Sequence, residues 1–179
     1  MTTSMEAQFE DHLRRVLAEA DPESEAESTV SLFTLIRAAN LLVADFDSTV
    51  WRDFGVTFPG FRVIFVIAVS GPREPRTIAQ LASVSRASIS SVINTLERDG
   101  YVVRRRESAD RRLVTVHLTS KGEELWRDSF AKQSAREREW AAALNLEQRK
   151  DLTGLLKTLI RERPRDHVDP AQAPQGTPA

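Results

Sequence analysis

The residues of this chain best equipped for chemistry are arginines. Five of them fall within nine positions, in RRRESADRR from Arg104 to Arg112, interrupted only by Glu107, Ser108, Ala109 and Asp110. A guanidinium is permanently charged and presents a planar fork of donors that fits phosphate oxygens and guanine edges. Just upstream, SRASISSVINTLERDG sets Arg86, Ser88, Ser90, Ser91 and Asn94 among the apolar Ile89, Val92, Ile93 and Leu96. Serine hydroxyls and an asparagine amide can serve base edges and phosphates alike. The shared chemistry is recognition of a polyanion. Two plainer readings stand beside it: a serine-rich surface helix, and an edge hairpin blunted by solvated charge.

The chain as a whole is near neutral, with 25 Lys+Arg against 26 Asp+Glu, so any such effect is local. From Gly71 to Arg112 there are nine arginines and no lysine against five acids, whereas the first 28 residues hold eight acids against Arg14 and Arg15. A basic stretch of that density is the footprint of a nucleic-acid partner.

Catalytic chemistry finds no such support. His12, His117 and His167 lie far apart, without the spacing of a metal site, and the chain has no cysteine. That removes disulfides, thiolate metal sites and thiol nucleophiles. No P-loop, G-x-S-x-G or G-x-G-x-x-G occurs. The chain is therefore read as a non-enzyme with no catalytic residue, no metal ligand and no cofactor. Its longest unbroken apolar runs, such as Val63 to Val69, fall short of the ~20 residues of a membrane span. The start MTTSMEAQFEDHLRR lacks an apolar signal core. A cytoplasmic protein without a membrane partner is the expectation.

Apolar periodicity assigns the elements that must hold these residues. Phe9, Leu13, Val16 and Leu17 line a short acidic helix that Pro22 ends. Leu32, Leu35, Ile36, Ala39, Leu42, Val43, Phe46 and Val50 recur at three- and four-residue steps, an amphipathic helix punctuated by Gly55 and Pro59. A third helix is predicted from about Pro59 to Val69, before the turn SGPREP. RTIAQLASV and SRASISSVINTLERDG predict two short helices, the second with Ser85 as N-cap and Gly100 as stop. YVVRR and RLVTVHL predict two strands around a projecting tip, with Val114, Val116 and Leu118 on one face of the second and Leu113, Thr115 and His117 on the other. Thr119 or Ser120 is expected to cap a long helix running to Leu144, and Ser120 with Glu123 forms an S-x-x-E capping box. Asn145 and Gln148 cap a last helix striped by Leu152, Leu155, Leu156, Leu159 and Ile160, which Pro164 stops. The remainder, rich in proline, reads as disordered.

Helix, turn, short helix, two-stranded hairpin is the order of a winged helix-turn-helix. The short polar helix would enter a major groove and an arginine-tipped hairpin would reach the adjacent minor groove, where negative potential is concentrated. Asp110, two residues before Arg112, can hold that arginine in a reaching conformation.

These motifs resemble the MarR family of bacterial regulators. DRRLVTVHLTSKG matches the family's D-x-R…L-T-x-x-G wing and exit, and LASVSRASISSVINTLERDGYVVRR its recognition helix and first wing strand. The likeness covers about Ser31 to Leu159. It implies a mainly α fold with a small β-wing: a winged helix-turn-helix DNA-binding lobe plus a helical dimerisation region. It implies a homodimer on pseudo-palindromic double-stranded DNA, more a repressor than an activator. Recognition positions fall on Arg86, Ser88, Ser90, Ser91 and Asn94. Wing positions fall on Arg104, Arg105, Arg106, Asp110, Arg111 and Arg112, and dimer contacts on Leu152, Leu155, Leu156 and Leu159. Ser91 stands where many relatives carry arginine, which shifts base readout towards Arg86 or the wing. The likeness also implies a small aromatic or lipophilic effector near the junction of the two regions. Phe46, Trp51, Arg52, Phe61 and Phe65 are its candidate pocket, with core packing as the other reading. The boundaries read from sequence are an acidic extension at 1–22, a MarR-type domain at 23–163 and a tail at 164–179. Within that domain the winged helix spans about 59–119, between dimerisation helices at about 23–58 and 120–163. The rival reading is a winged helix that binds proteins instead of DNA.

Overall fold

The computed structural model describes residues 2–21, 25–106 and 114–164. Pro22, the hairpin tip with Asp110, Arg111 and Arg112, Leu113 and the segment 165–179 lie outside these, and with them the expectations of a projecting tip and a disordered tail. Seven helices and a hairpin are described: α1 (Thr2–Ala20), α2 (Ala26–Thr49), α3 (Phe58–Ser70), α4 (Pro75–Ala82), α5 (Arg86–Arg98), β1 (Val102–Arg106), β2 (Val114–Leu118), α6 (Ser120–Ala141) and α7 (Leu146–Glu162). A short 3-10 turn, Trp51–Phe54, follows α2. The chain divides into two compact units, Met1–Asp45 and Phe46–Ala179.

In the first unit, α1 and α2 meet through the rings of Phe9 and Phe33, 5.8 Å apart. Arg14 Nε donates to Glu27 Oε1 at 2.7 Å. That hydrogen bond raises the Arg14 pKa and lowers that of Glu27. Leu32, Phe33, Ile36 and Leu41 of α2 remain exposed. By length and composition α2 would suffice to cross a membrane, a feature that counting unbroken apolar runs misses. It carries Arg37 mid-helix, and an apolar face of this kind equally suits contact with another protein surface.

The second unit holds the core. Thr57 caps α3, its Oγ1 accepting from Gly60 N at 3.3 Å, and Pro59 sits in the first turn, where a missing N–H costs little. Phe61, Ile64 and Ile67 of α3 pack with Ile78 and Ala79 of α4 and Ile89, Ile93 and Leu96 of α5, all buried. Between α4 and α5 the chain reverses at Ser83, held at φ +50° while Val84 N donates to Ala79 O at 2.9 Å. Gly100 ends α5 at φ +79°, as the sequence predicts.

The hairpin pairs Val102 with Leu118, Arg104 with Val116 and Arg106 with Val114. A feature the sequence did not reveal is a third, one-residue edge: Val116 N donates to Arg73 O at 2.9 Å, in the turn before α4. Thr115, expected on the face opposite Val116, is buried like it.

Of the two hydroxyls expected to cap α6, the structure takes Thr119 and leaves Ser120, with its expected capping box, as the first helical residue: the Thr119 Oγ1 accepts from Gly122 N at 3.1 Å and donates to Gly100 O at 2.7 Å. One hydroxyl thus opens the helix and ties it to the end of α5. The helix also ends at Ala141, three residues early, since Asn145 already opens the next. Asn145 Oδ1 accepts from Gln148 N and Gln148 Oε1 accepts from Asn145 N, both at 2.9 Å. α7 buries none of its side chains. Arg163, before Pro164, turns to φ −52°, ψ 141°, the extended geometry that a following proline imposes.

Candidate nucleic-acid interface

The polar row of α5 is in the open. Ser85 opens the helix by accepting from Ser88 N at 3.1 Å, and its own hydroxyl donates to Ser88 Oγ at 2.8 Å. Ser88 therefore serves the cap while remaining exposed. Arg86, Ser90, Ser91 and Asn94 are exposed as well, opposite the buried Ile89, Ile93 and Leu96. Ser91 and Thr95 border a small cleft of about 180 Å³ against Gly55–Gly60. Thr95 is an exposed polar position that the sequence reading left out, although it sits next to Asn94.

The three arginines of β1 separate. Arg104 shares a sheet face with Val102 and Val116 through the register. Its guanidinium pairs with Glu97 and donates to Asn94 Oδ1 at 2.7 Å, while its backbone N–H donates to Glu97 Oε1 at 3.1 Å. Arg104 is thus a strut between wing and recognition helix, its charge answered by a carboxylate. Arg105 and Arg106 are exposed. Asp110, Arg111 and Arg112 lie outside the described residues. Period-two alternation from the apolar Val102 separates Arg105 from Arg104 and Arg106, and only the partners on α5 set Arg104 apart from Arg106.

The exit from the wing is close-packed. Thr119 N donates to Tyr101 O at 3.0 Å, and Lys121 Nζ donates to Asp99 O at 2.8 Å and lies 4.5 Å over the Tyr101 ring. A Cβ added to Gly122 would stand 2.1 Å from Tyr101 O. Here the L-T-x-x-G motif acquires a physical reason: the threonine caps, and the glycine admits the backbone of the preceding strand.

The aromatic candidates form a chain of ring contacts. Phe46, Trp51 and Phe61 are buried, Trp51 being 1% exposed and stacked on Phe58 and Phe61 at 4.8 and 5.5 Å. Trp51 Nε1 donates to Gln133 Oε1 of α6 at 2.9 Å. Phe65 is partly exposed and meets Trp126 edge-on at 5.3 Å. Arg52 binds Asp47 at 3.2 Å with its side chain 73% exposed. Arg62 lies 5.0 Å above the Phe58 ring, and partial burial lowers its pKa. A separate cleft of about 470 Å³ opens beside Trp126, lined also by Ile67, His117, Leu118 and Arg127. On α7, Leu152, Leu155 and Leu159 are exposed and Leu156 is half-buried.

A three-helix lobe with an exposed polar helix and an attached two-stranded wing defines a winged helix-turn-helix protein. Residues 54–113 match the MarR family. An uncharacterized HTH-type transcriptional regulator of Bacillus subtilis, YwaE, is 31% identical over 123 residues, 69% of this chain and 72% of its own. The chain belongs to the MarR family: it is a DNA-binding transcriptional regulator and not an enzyme. Its fold is that of Sco3205, a MarR family regulator from Streptomyces coelicolor solved in complex with DNA, with a TM-score of 0.73, 24% identity and coverage of 82% of this chain and 94% of the other. NadR, solved in complex with 4-hydroxyphenylacetate, is 27% identical with a TM-score of 0.65, over 73% of this chain and 92% of NadR.

Proposed function

We propose that the protein is a cytoplasmic homodimeric repressor that binds a pseudo-palindromic operator. Each α5 lies in a major groove with Arg86, Ser90, Ser91 and Asn94 towards the bases and Ser88 fixing the cap. The wing follows the neighbouring minor groove and backbone through Arg105 and Arg106, with Asp110, Arg111 and Arg112 at its tip. Leu152, Leu155, Leu156 and Leu159 of α7 belong to the subunit interface. Occupying a promoter is enough to repress it, and needs no activating surface.

The observation that carries this reading is the bond from Arg104 to Asn94 at 2.7 Å. It joins wing and recognition helix so that both can meet one duplex together. We further infer release of DNA by a small aromatic acid. The NadR complex supports that ligand class. The cleft beside Trp126 offers a ring to stack on, with His117 and Arg127 among its lining groups; the buried Phe46, Trp51 and Phe61 would then support Phe65 and Trp126 from behind. An acid that binds only one half-site spacing would shift the population away from the operator-competent state.

The test is selection of bound fragments from the host genome, followed by footprinting. Protection of two symmetric half-sites about 10 base pairs apart, or a multiple of that, is expected. A single asymmetric footprint, or no enriched fragment, would contradict the dimeric reading of the operator.

A further inference from the structure

We propose that the wing decides which bases Asn94 reads. Arg104 turns the Asn94 amide so that its N–H groups face the duplex, and Asn94 then selects a base edge that offers acceptors alone: guanine N7 and O6, or thymine O4. This rests on the DNA reading above and names the bases that α5 prefers at one position of each half-site.

A guanidinium only donates. The bond of 2.7 Å from Arg104 to Asn94 therefore requires the amide oxygen at the wing, which leaves Nδ2 on the opposite branch of the amide. The donor chemistry of the partner settles which way this amide is turned. The bond is charge-assisted, and so stronger than one between neutral groups. Asn94 itself is exposed on the polar row of α5, and among the described residues no group accepts from its Nδ2.

Glu97 holds the donor in place. Its Oε1 accepts from the Arg104 backbone N–H at 3.1 Å, and its other carboxylate oxygen pairs with the guanidinium. One carboxylate thus fixes both the main chain and the side chain of Arg104 and answers its charge, so the guanidinium stays with Asn94 instead of turning to a phosphate. Glu97 is a positioning residue: it acts on the bases through Arg104 and Asn94.

An asparagine reads adenine when its oxygen and nitrogen lie side by side against N6 and N7. Here the oxygen serves the wing. Adenine and cytosine each set an amino group in the major groove, which the outward N–H groups would meet donor to donor. Guanine and thymine set a carbonyl oxygen there and no donor.

Duplexes selected from a random pool by the full chain, and by its Asn94→Ala variant, locate the base pair at which Asn94 acts. Anisotropy titrations then compare the four bases at that position with the rest of the operator unchanged. The unaltered chain should bind guanine or thymine there about tenfold more tightly than adenine. Arg104→Met frees the amide oxygen, so that ratio should fall to near one or invert, whereas Arg104→Lys keeps a donor and should retain it. If Arg104 only braces the wing, Arg104→Met weakens all four duplexes alike and the ratio is unchanged, which overturns the proposal. Asn94→Asp gives a second route that leaves Arg104 its partner. It removes the outward N–H groups, so preference should move to cytosine or adenine, and retained selection of guanine or thymine counts against the proposal. Selection of adenine by the unaltered chain, or no position altered by Asn94→Ala, overturns the assignment and leaves DNA binding standing. A chain that selects no sequence overturns both.

Discussion

Arg104 commits its guanidinium to Glu97 and Asn94, while Arg105 and Arg106, one and two residues on, are exposed. Their removal should differ in kind. Arg105→Ala with Arg106→Ala takes away charge available to phosphates, so affinity should fall on every duplex. The slope of log affinity against log salt should become shallower by about one for each arginine–phosphate pairing removed. Arg104→Ala removes a charge already neutralised, so the slope should stay near that of the unaltered protein while specific affinity drops with the loosened wing. Anisotropy titrations across salt distinguish the two, and equal slopes for both variants would remove the strut assignment. In the sequence the three arginines look alike. The pleat separates only Arg105 from the other two, and the contact with Glu97 and Asn94 of α5 is what singles out Arg104. The aromatic residues pose the same difficulty. Composition identifies a cluster but not that Trp51 is 1% exposed, nor that Arg62 rather than Arg52 lies over a ring.

At the scale of elements, caps and close approaches set the geometry. Gly122→Ala would push a methyl group into Tyr101 O, so a destabilisation of about 1–3 kcal/mol is expected, visible as a melting point lower by several degrees. Ser83, at φ +50° between α4 and α5, occupies a region that costs an L-residue about 1–2 kcal/mol. Ser83→Gly should therefore raise the melting point slightly, less its own loss of chain entropy. A melting point that falls would mean the Ser83 side chain contributes an interaction worth more than the strain. The α1–α2 hairpin should be sensitive to acid. The Arg14 hydrogen bond and charge depress the Glu27 pKa. That contribution is present above the ordinary glutamate range and is lost as pH falls through the depressed folded value. The protection factors of α1 amides, corrected for the intrinsic exchange rate at each pH, should fall there, and Arg14→Gln should abolish the dependence. Most elements were legible in the sequence because apolar period and cap residues agree, as at Ser85, Gly100 and Asn145. For the α6 cap the sequence leaves Thr119 and Ser120 as alternatives, because both carry capping hydroxyls. Only the tertiary bond from Thr119 to Gly100 decides between them.

For the whole molecule, the exposed apolar faces of α2 and α7 are what the proposed dimer would cover. Leu155→Asp with Leu159→Asp should give monomer or unfolded chain in sedimentation, with operator binding abolished, because two carboxylates would have to be buried at a subunit interface. A normal dimer from this variant would remove α7 from the interface. What sequence could not supply at this scale is the partner surface, since a lone amphipathic stripe does not name what covers it.

If α5 and the wing together read duplex DNA, equilibrium binding of the full chain to a selected operator and to a scrambled duplex over a range of salt will show it. Both affinities should fall linearly in log–log form, with the operator bound at least about a thousandfold more tightly at physiological salt. Equal affinity for the two duplexes, or an affinity indifferent to salt, would contradict it.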